Sequence, residues 1–204
     1  MTFVIAFDLG GVLFSDGTAE FVDHLHRAYA VDPARSGELL HGELGSAYRE
    51  GRLTRQDFWY AFRESLQLTA SEEDLAARWI DGYRLNVGTR DLIADLAGHY
   101  DVYYLSDNVA DRIEAVERRY GFLRLFKGGV FSHEAGVRKP NRAIYERLLD
   151  IVGGSADQVI YVDDKEWALT PAAELGMITI LFRDSDQVRR DVQARISPRS
   201  DQPS

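Results

Sequence analysis

The chain has 204 residues, 45% of them hydrophobic and 28% charged, with a formal net charge of −9; at roughly 150 residues per domain this allows one full core and a smaller appendage. The acidic balance and the lack of any basic block argue against a nucleic-acid partner or docking on anionic lipid. The absence of cysteine excludes disulfides, thiolate metal sites and cysteine nucleophiles. The opening MTFVIAFDLGGVLF has no basic leader, and no apolar run nears the ~18 residues of a membrane span, so a cytoplasmic protein without a membrane partner is expected.

In chain order, 3–7 reads as a strand. From about Thr18 to Val87 no strand pattern appears, only helical periodicity. Thr54-x-x-Asp57 and Ser71-x-x-Asp74 look like capped helix starts, and Phe58, Trp59, Phe62 and Leu66 form an apolar stripe behind the first. A helix over 90–97 stops at Gly98. A strand at 101–105 leads into a helix over 109–120 that stops at Gly121. After a strand at 129–131, Pro140 opens a helix running to about 152. A strand at 159–162, a helix over 165–175 and a strand at 177–181 complete the series. Most of these strands are continuous apolar runs, as expected when both faces are covered. Strand–helix alternation of this kind predicts an α/β fold with a Rossmann-like parallel sheet, helices on both faces and right-handed crossovers. The expected division is a catalytic core of residues 1–17 and 88–196, an inserted helical cap at 18–87, and a disordered tail at 197–204.

Reactive groups in open parallel sheets collect beyond the carboxyl ends of the strands. Asp8 follows the first strand and is trailed by Gly10 and Gly11, so it could be a nucleophile approached closely by backbone, or simply a turn-forming Asp. Ser106 follows the second strand and could offer its hydroxyl and nearby N–H groups to an anion, or serve as an N-cap along with Asp107 or Asn108. Lys139 is one of three lysines in an arginine-rich chain; it suits a point-charge contact with phosphate, or ordinary solvation. Asp163 and Asp164 end the fourth strand. Two adjacent carboxylates there repel unless a cation neutralises them, and oxygen ligands in that number suit Mg²⁺; one capping and one solvated Asp is the alternative.

Taken together, FDLGGVLF, LSD, SHEAGVRKPNRAIY and IYVDDKEWAL resemble the motifs of the haloacid dehalogenase superfamily of hydrolases. The likeness is strongest to the subgroup that includes bacterial α-D-glucose-1-phosphate phosphatase and the N-terminal phosphatase domain of soluble epoxide hydrolase. The resemblance covers residues 1 to about 183 and implies a sheet of order 5-4-1-2-3 with a cap inserted after the first strand. It implies a Mg²⁺-dependent phosphatase of a small phosphorylated metabolite, possibly a sugar phosphate, working as a monomer or homodimer. Asp8 would form an aspartyl-phosphate. The ion would be held by Asp8, the Gly10 carbonyl and Asp164, with Asp163 acting chiefly through water. Ser106, Asp107 and Lys139 would bind the phosphoryl group.

Two positions depart from the superfamily pattern. Gly10 stands where phosphatases usually carry a second Asp as general acid and base, a function typically worth 10²–10⁴-fold; His41, Glu50 and Asp57 are candidate substitutes, and Trp59 could border the pocket. Asp107 stands where Asn is common, and its extra carboxylate is unhelpful beside a phosphate unless it points away. Gly10 keeps open a weakly active or inactive phosphate-ligand-binding, regulatory protein of the same fold. Carbon–halogen hydrolysis by Asp8 is a further reading, against which the acidic pair and the lack of an aromatic at position 10 both count.

Overall fold

A computed structural model describes residues 3–196 of the chain; the expected tail at 197–204 lies outside them. Five strands, β1 (Val4–Phe7), β2 (Asp101–Ser106), β3 (Gly128–Phe131), β4 (Val159–Asp163) and β5 (Ile178–Leu181), form one sheet of order β3-β2-β1-β4-β5, parallel at every pairing. This is the expected order read from the opposite edge. Along β1, Ile5 and Phe7 join one apolar cluster and Ala6 the other. The period of two is present, but both faces are covered, which is why the sequence reads as a continuous run.

Between β1 and β2 lie α1 (Gly17–Tyr29), α2 (Pro33–His41), α3 (Glu43–Arg49), α4 (Arg55–Leu66), α5 (Glu72–Asp81) and α6 (Val87–Ala97). The two sequence caps form: Thr54 Oγ1 accepts from the Asp57 N–H and Ser71 Oγ from the Asp74 N–H, each at 3.1 Å. Phe58, Trp59 and Phe62 of the predicted stripe pack with Phe21 and Trp79 in a knot of stacked and edge-on rings. Trp59 is 1% exposed within it. It therefore belongs to the packing of this helical segment and does not border a pocket.

The remaining helices are α7 (Ala110–Tyr120), α8 (Ser132–Ala135), α9 (Arg142–Val152), α10 (Glu166–Glu174) and α11 (Ser185–Ile196). One start differs from expectation. Pro140 does not open α9; it lies in a turn, and Asn141 is the cap, its Oδ1 accepting from the Ala143 N–H at 3.0 Å. A side-chain acceptor satisfies one of the orphan N–H groups that a proline could only have removed, so Asn outcompetes Pro for the boundary. Among the described residues no helix is long and apolar enough to cross a membrane.

The α2–α3 turn is built on a close approach. A Cβ on Gly45 would stand 1.9 Å from the Leu40 carbonyl oxygen, whereas one on Gly37, within α2, would meet nothing within 4 Å. Gly45→Ala should therefore cost about 1–3 kcal/mol through forced backbone movement, while Gly37→Ala should be neutral or stabilise by up to about 1 kcal/mol. Urea unfolding of the two variants beside the parent checks the contrast, and equal midpoints would contradict it.

Candidate active site

β1 and β4 run side by side, with Phe7 opposite Val162. The next position on each strand is acidic, and the Asp8 N–H donates to the Val162 carbonyl at 2.8 Å, extending the ladder to the carboxylates. Asp163 is wholly buried. Its Oδ2 accepts from Lys139 Nζ at 2.7 Å and from the Tyr161 hydroxyl at 2.5 Å, and its Oδ1 accepts from the Lys165 N–H at 2.9 Å. The Lys139 ammonium, 4% exposed, also stands 3.0 Å from Asp8 Oδ1. One cation thus bridges two acids carried by neighbouring strands.

Asp164 completes the group. One oxygen each from Asp8, Asp163 and Asp164 lie within 4.8 Å of one another. Asp164 Oδ2 contacts Lys165 Nζ at 2.7 Å, but its Oδ1 is buried with no hydrogen-bond partner. Gly11 makes this approach possible: at φ +84°, a Cβ there would sit 2.4 Å from Asp164 Oδ2. A set of hard oxygen donors, one of them buried and unpartnered, fits a small divalent cation.

The electrostatics point the same way. Burial pushes the Asp8 carboxyl up to about 8, with Asp163 and Asp164 adding to the rise and Lys139 opposing it. Burial also disfavours the Lys139 ammonium, yet Asp8, Tyr161, Asp163 and Asp107 outweigh it and hold the lysine charged well above its usual range. With Asp8 ionised, three acids against Lys139 and the half-exposed Lys165 make the cluster about one charge negative before any anionic ligand arrives, the state that its raised carboxyl resists.

Ser106 ends β2, the other neighbour of β1, and Asp107 follows it; both line the same cleft as Asp8, Gly10, Lys139, Asp163 and Asp164. All seven residues singled out from the sequence are brought together. The Asp107 carboxylate is tied: Oδ1 accepts from the Lys139 N–H at 3.0 Å and Oδ2 from Arg138 Nε at 3.1 Å. An Asp in place of Asn is accommodated because a guanidinium takes its charge. The cleft measures about 120 Å³, and its wall also includes Asp16, Thr18, His41, Arg49, Tyr83 and Trp167.

Of the three acid–base candidates, His41 is at this wall. Its exposed ring is partly desolvated at the wall, which, with Arg49 next, lowers its pKa. Glu50 is instead paired with Arg52, and the Asp57 carboxylate accepts from the Thr54 hydroxyl at the start of α4 and lines a separate hollow.

A family model described as haloacid dehalogenase-like hydrolase matches residues 4–176. The chain belongs to that family. Among curated relatives it is 28% identical to the sesquiterpene phosphatase astK of Aspergillus oryzae over 182 residues, 88% of this chain and 89% of that protein. It is 26% identical to the drimenol cyclase drtB of Aspergillus calidoustus over 200 residues, 94% of this chain and 36% of that one. The chain thus spans about a third of the cyclase's length, and 66% of a Dictyostelium discoideum relative. Its fold matches that of a Bacteroides thetaiotaomicron HAD family enzyme solved with magnesium and inorganic phosphate, with a TM-score of 0.75 at 22% identity, covering 90% and 96% of the two chains.

Several residues of this hydrolase's cleft have no signal in the sequence. Arg49 ends α3 and is 5% exposed, its Nη1 donating to the Leu40 and Gly45 carbonyls at 2.5 and 3.2 Å. Tyr83 sits just past α5, and Arg112, on α7, lies behind it. Buried arginines cannot be told from solvated ones by spacing. Trp167 is 48% exposed at the cleft wall.

Removing the bridging cation strands two buried carboxylates. Lys139→Met should lower the unfolding free energy by about 3–5 kcal/mol in EDTA, as read by urea denaturation. A loss below 1 kcal/mol would mean the acids are not held against one another as described.

Proposed function

We propose that this hydrolase is a Mg²⁺-dependent phosphomonoesterase acting on a small, hydrophilic phosphorylated metabolite. The observation that carries the reading is the buried, unpartnered Asp164 Oδ1 beside Asp8 and Asp163. Holding three acids together opposes folding, and they fit a site awaiting a divalent cation and an anionic ester. Asp8, Asp164 and the Gly10 carbonyl would hold Mg²⁺, which would offset the charge of the acids and of the incoming phosphate. Asp163, both of whose oxygens are taken by protein donors, holds Lys139 in place and would reach the ion through water.

Asp8 attacks phosphorus, the bond to the leaving oxygen breaks, and an aspartyl-phosphate forms. Water then attacks that phosphorus, releasing inorganic phosphate and regenerating the carboxylate. Lys139 bridges Asp8 and the phosphoryl group, while the Ser106 hydroxyl and the Asp107 N–H take up phosphoryl oxygens as negative charge spreads.

The wall supports a hydrophilic leaving group. His41, Arg49, Arg138 and Asp16 are polar, and Trp167 offers one flat apolar surface, suited to the face of a sugar rather than to a long hydrocarbon. In this respect the cleft differs from what the names of the terpenoid relatives suggest for those proteins. The acidic cluster has no evident use in halide displacement. Gly10 favours the second reading, a phosphate-ligand binder with weak or no turnover.

Phosphate release from a panel of metabolite esters should require Mg²⁺, stop in EDTA and fall to background in Asp8→Asn. Equal turnover by that variant would sink the mechanism, and ligand binding without turnover across the panel would favour the binder. Separately, Mg²⁺ should raise the melting temperature of the parent, a stabilisation growing as RT ln(1 + [Mg²⁺]/Kd), and should fail to do so in Asp164→Asn.

A further inference from the structure

We propose that Tyr83 is the general acid of this phosphatase, in the role that Gly10 leaves unfilled; the inference rests on the function proposed above. The Tyr83 ring occupies the space beside position 10. A Cβ on Gly10 would lie 3.8 Å from its Cε1, and one on Gly17 would lie 2.2 Å from its Cδ2, so the ring is wedged between two glycines. It is 6% exposed and lines the cleft together with Asp8. His41, the other proton-bearing candidate at the wall, is exposed rather than set beside the nucleophile's loop.

The hydroxyl is held from behind. It accepts from Arg112 Nη1 at 3.1 Å and lies 3.3 Å from Thr18 Oγ1, which itself accepts from Trp79 Nε1 at 3.2 Å. Either hydroxyl can donate in the Thr18–Tyr83 contact; with Thr18 as donor the phenolic oxygen receives two hydrogen bonds, an arrangement that leaves its own proton for a cleft acceptor. Arg112 is 1% exposed, lies 3.8 Å over the Trp79 ring, and leaves Nε and Nη2 without partners. Among the described residues its side-chain hydrogen bonds go to two neutral groups, the Tyr83 hydroxyl and Asn108 Oδ1. A guanidinium buried without a counter-charge is costly. Its Nη1 is aimed at the phenolic oxygen, the atom on which negative charge develops as a proton leaves.

In the first half-reaction the Tyr83 proton passes to the leaving oxygen as its bond to phosphorus breaks and the Asp8–phosphorus bond forms. The resulting phenolate is held by Arg112. In the second it takes a proton from the water that attacks the aspartyl-phosphate, restoring tyrosine and carboxylate together. Tyr83 is thus a catalytic residue, and Arg112 a positioning one.

General-acid help matters in proportion to the basicity of the leaving oxygen, so the test compares two esters with Mg²⁺ present. Tyr83→Phe keeps the ring between the glycines and removes the proton. Its kcat should fall roughly 10²–10⁴-fold on glycerol phosphate and less than about tenfold on p-nitrophenyl phosphate, whose leaving group needs no proton. An equal fall on both esters would mark Tyr83 as structural and overturn the proposal; so would no fall on either, or a parent protein that turns over only the nitrophenyl ester. If the parent releases phosphate from neither, the phosphatase reading itself fails and this inference with it; Asp8→Asn on the nitrophenyl ester tells the two failures apart.

Discussion

The Lys139 ammonium, bonded to Asp163 at 2.7 Å and 3.0 Å from Asp8, is the interaction on which the rest of the site depends. Adjacent parallel strands in register put their following residues side by side, so acids after Phe7 and Val162 must face each other at close range. Without a cation between them one would be neutral, and a neutral Asp8 could serve neither as a charged nucleophile nor as an ionised metal ligand. The lysine arrives from the loop after α8, and that loop is anchored by Asp107 at the end of β2 through the Lys139 N–H. Three strand ends and one loop therefore share a single electrostatic problem and solve it together. Apolar residues of the same volume would leave the core at least as stable, which argues that chemistry keeps the charges there.

The helical segment between β1 and β2 supplies what the sheet cannot. Its rings around Phe58 and Trp79 form a rigid floor, and polar groups at its edges turn toward the cleft: Thr18 near the start of α1, Arg49 at the end of α3 and Tyr83 after α5. Trp79 serves both purposes, stacking within the aromatic knot while its indole N–H donates to Thr18. The same packing that stabilises the segment thus orients a hydrogen-bonded chain running from Trp79 through Thr18 and Tyr83 to Arg112 on α7. Motion of this segment relative to the sheet would act on Tyr83 and on the Asp8 loop at once, since the ring is wedged between Gly10 and Gly17.

Much of this was legible in the sequence because it depends on local rules. Apolar runs flanked by glycine or a cap mark the strands, and a parallel sheet makes the residue after each strand a candidate for the crevice. That logic reaches Asp8, Ser106, Asp163 and Lys139 without any knowledge of packing. It fails where two distant segments meet. Arg112 on its own reads as one more arginine of a solvated helix, and only the arrival of Tyr83 and Trp79 buries it. Trp59 and Trp167 are alike in composition and opposite in placement, 1% against 48% exposed, because one lies inside the aromatic knot and the other at the cleft wall. Pro140 misled for a different reason: proline is compatible with a helix start but has no side-chain acceptor for a helix N–H, and Asn141 one residue later has one.

The scaffold alone does not choose the reaction. One fold hosts unrelated chemistries, and likeness of fold does not carry a reaction with it. What separates the possible chemistries is charge at atomic positions. An attacking carboxylate meets a carbon–halogen centre without repulsion, whereas it meets a phosphate ester as anion against anion. That meeting is tolerable only where cations offset it: Lys139 stands against Asp8 and Arg138 against Asp107, and the unpartnered oxygen of Asp164 is where the proposed divalent ion would add to them. Gly10 then removes a fourth carboxylate from the most crowded point of the site. A neutral phenol backed by a guanidinium can deliver a proton there without adding to the negative charge that the incoming phosphate must overcome, and on this view the glycine and the buried arginine are two parts of one arrangement.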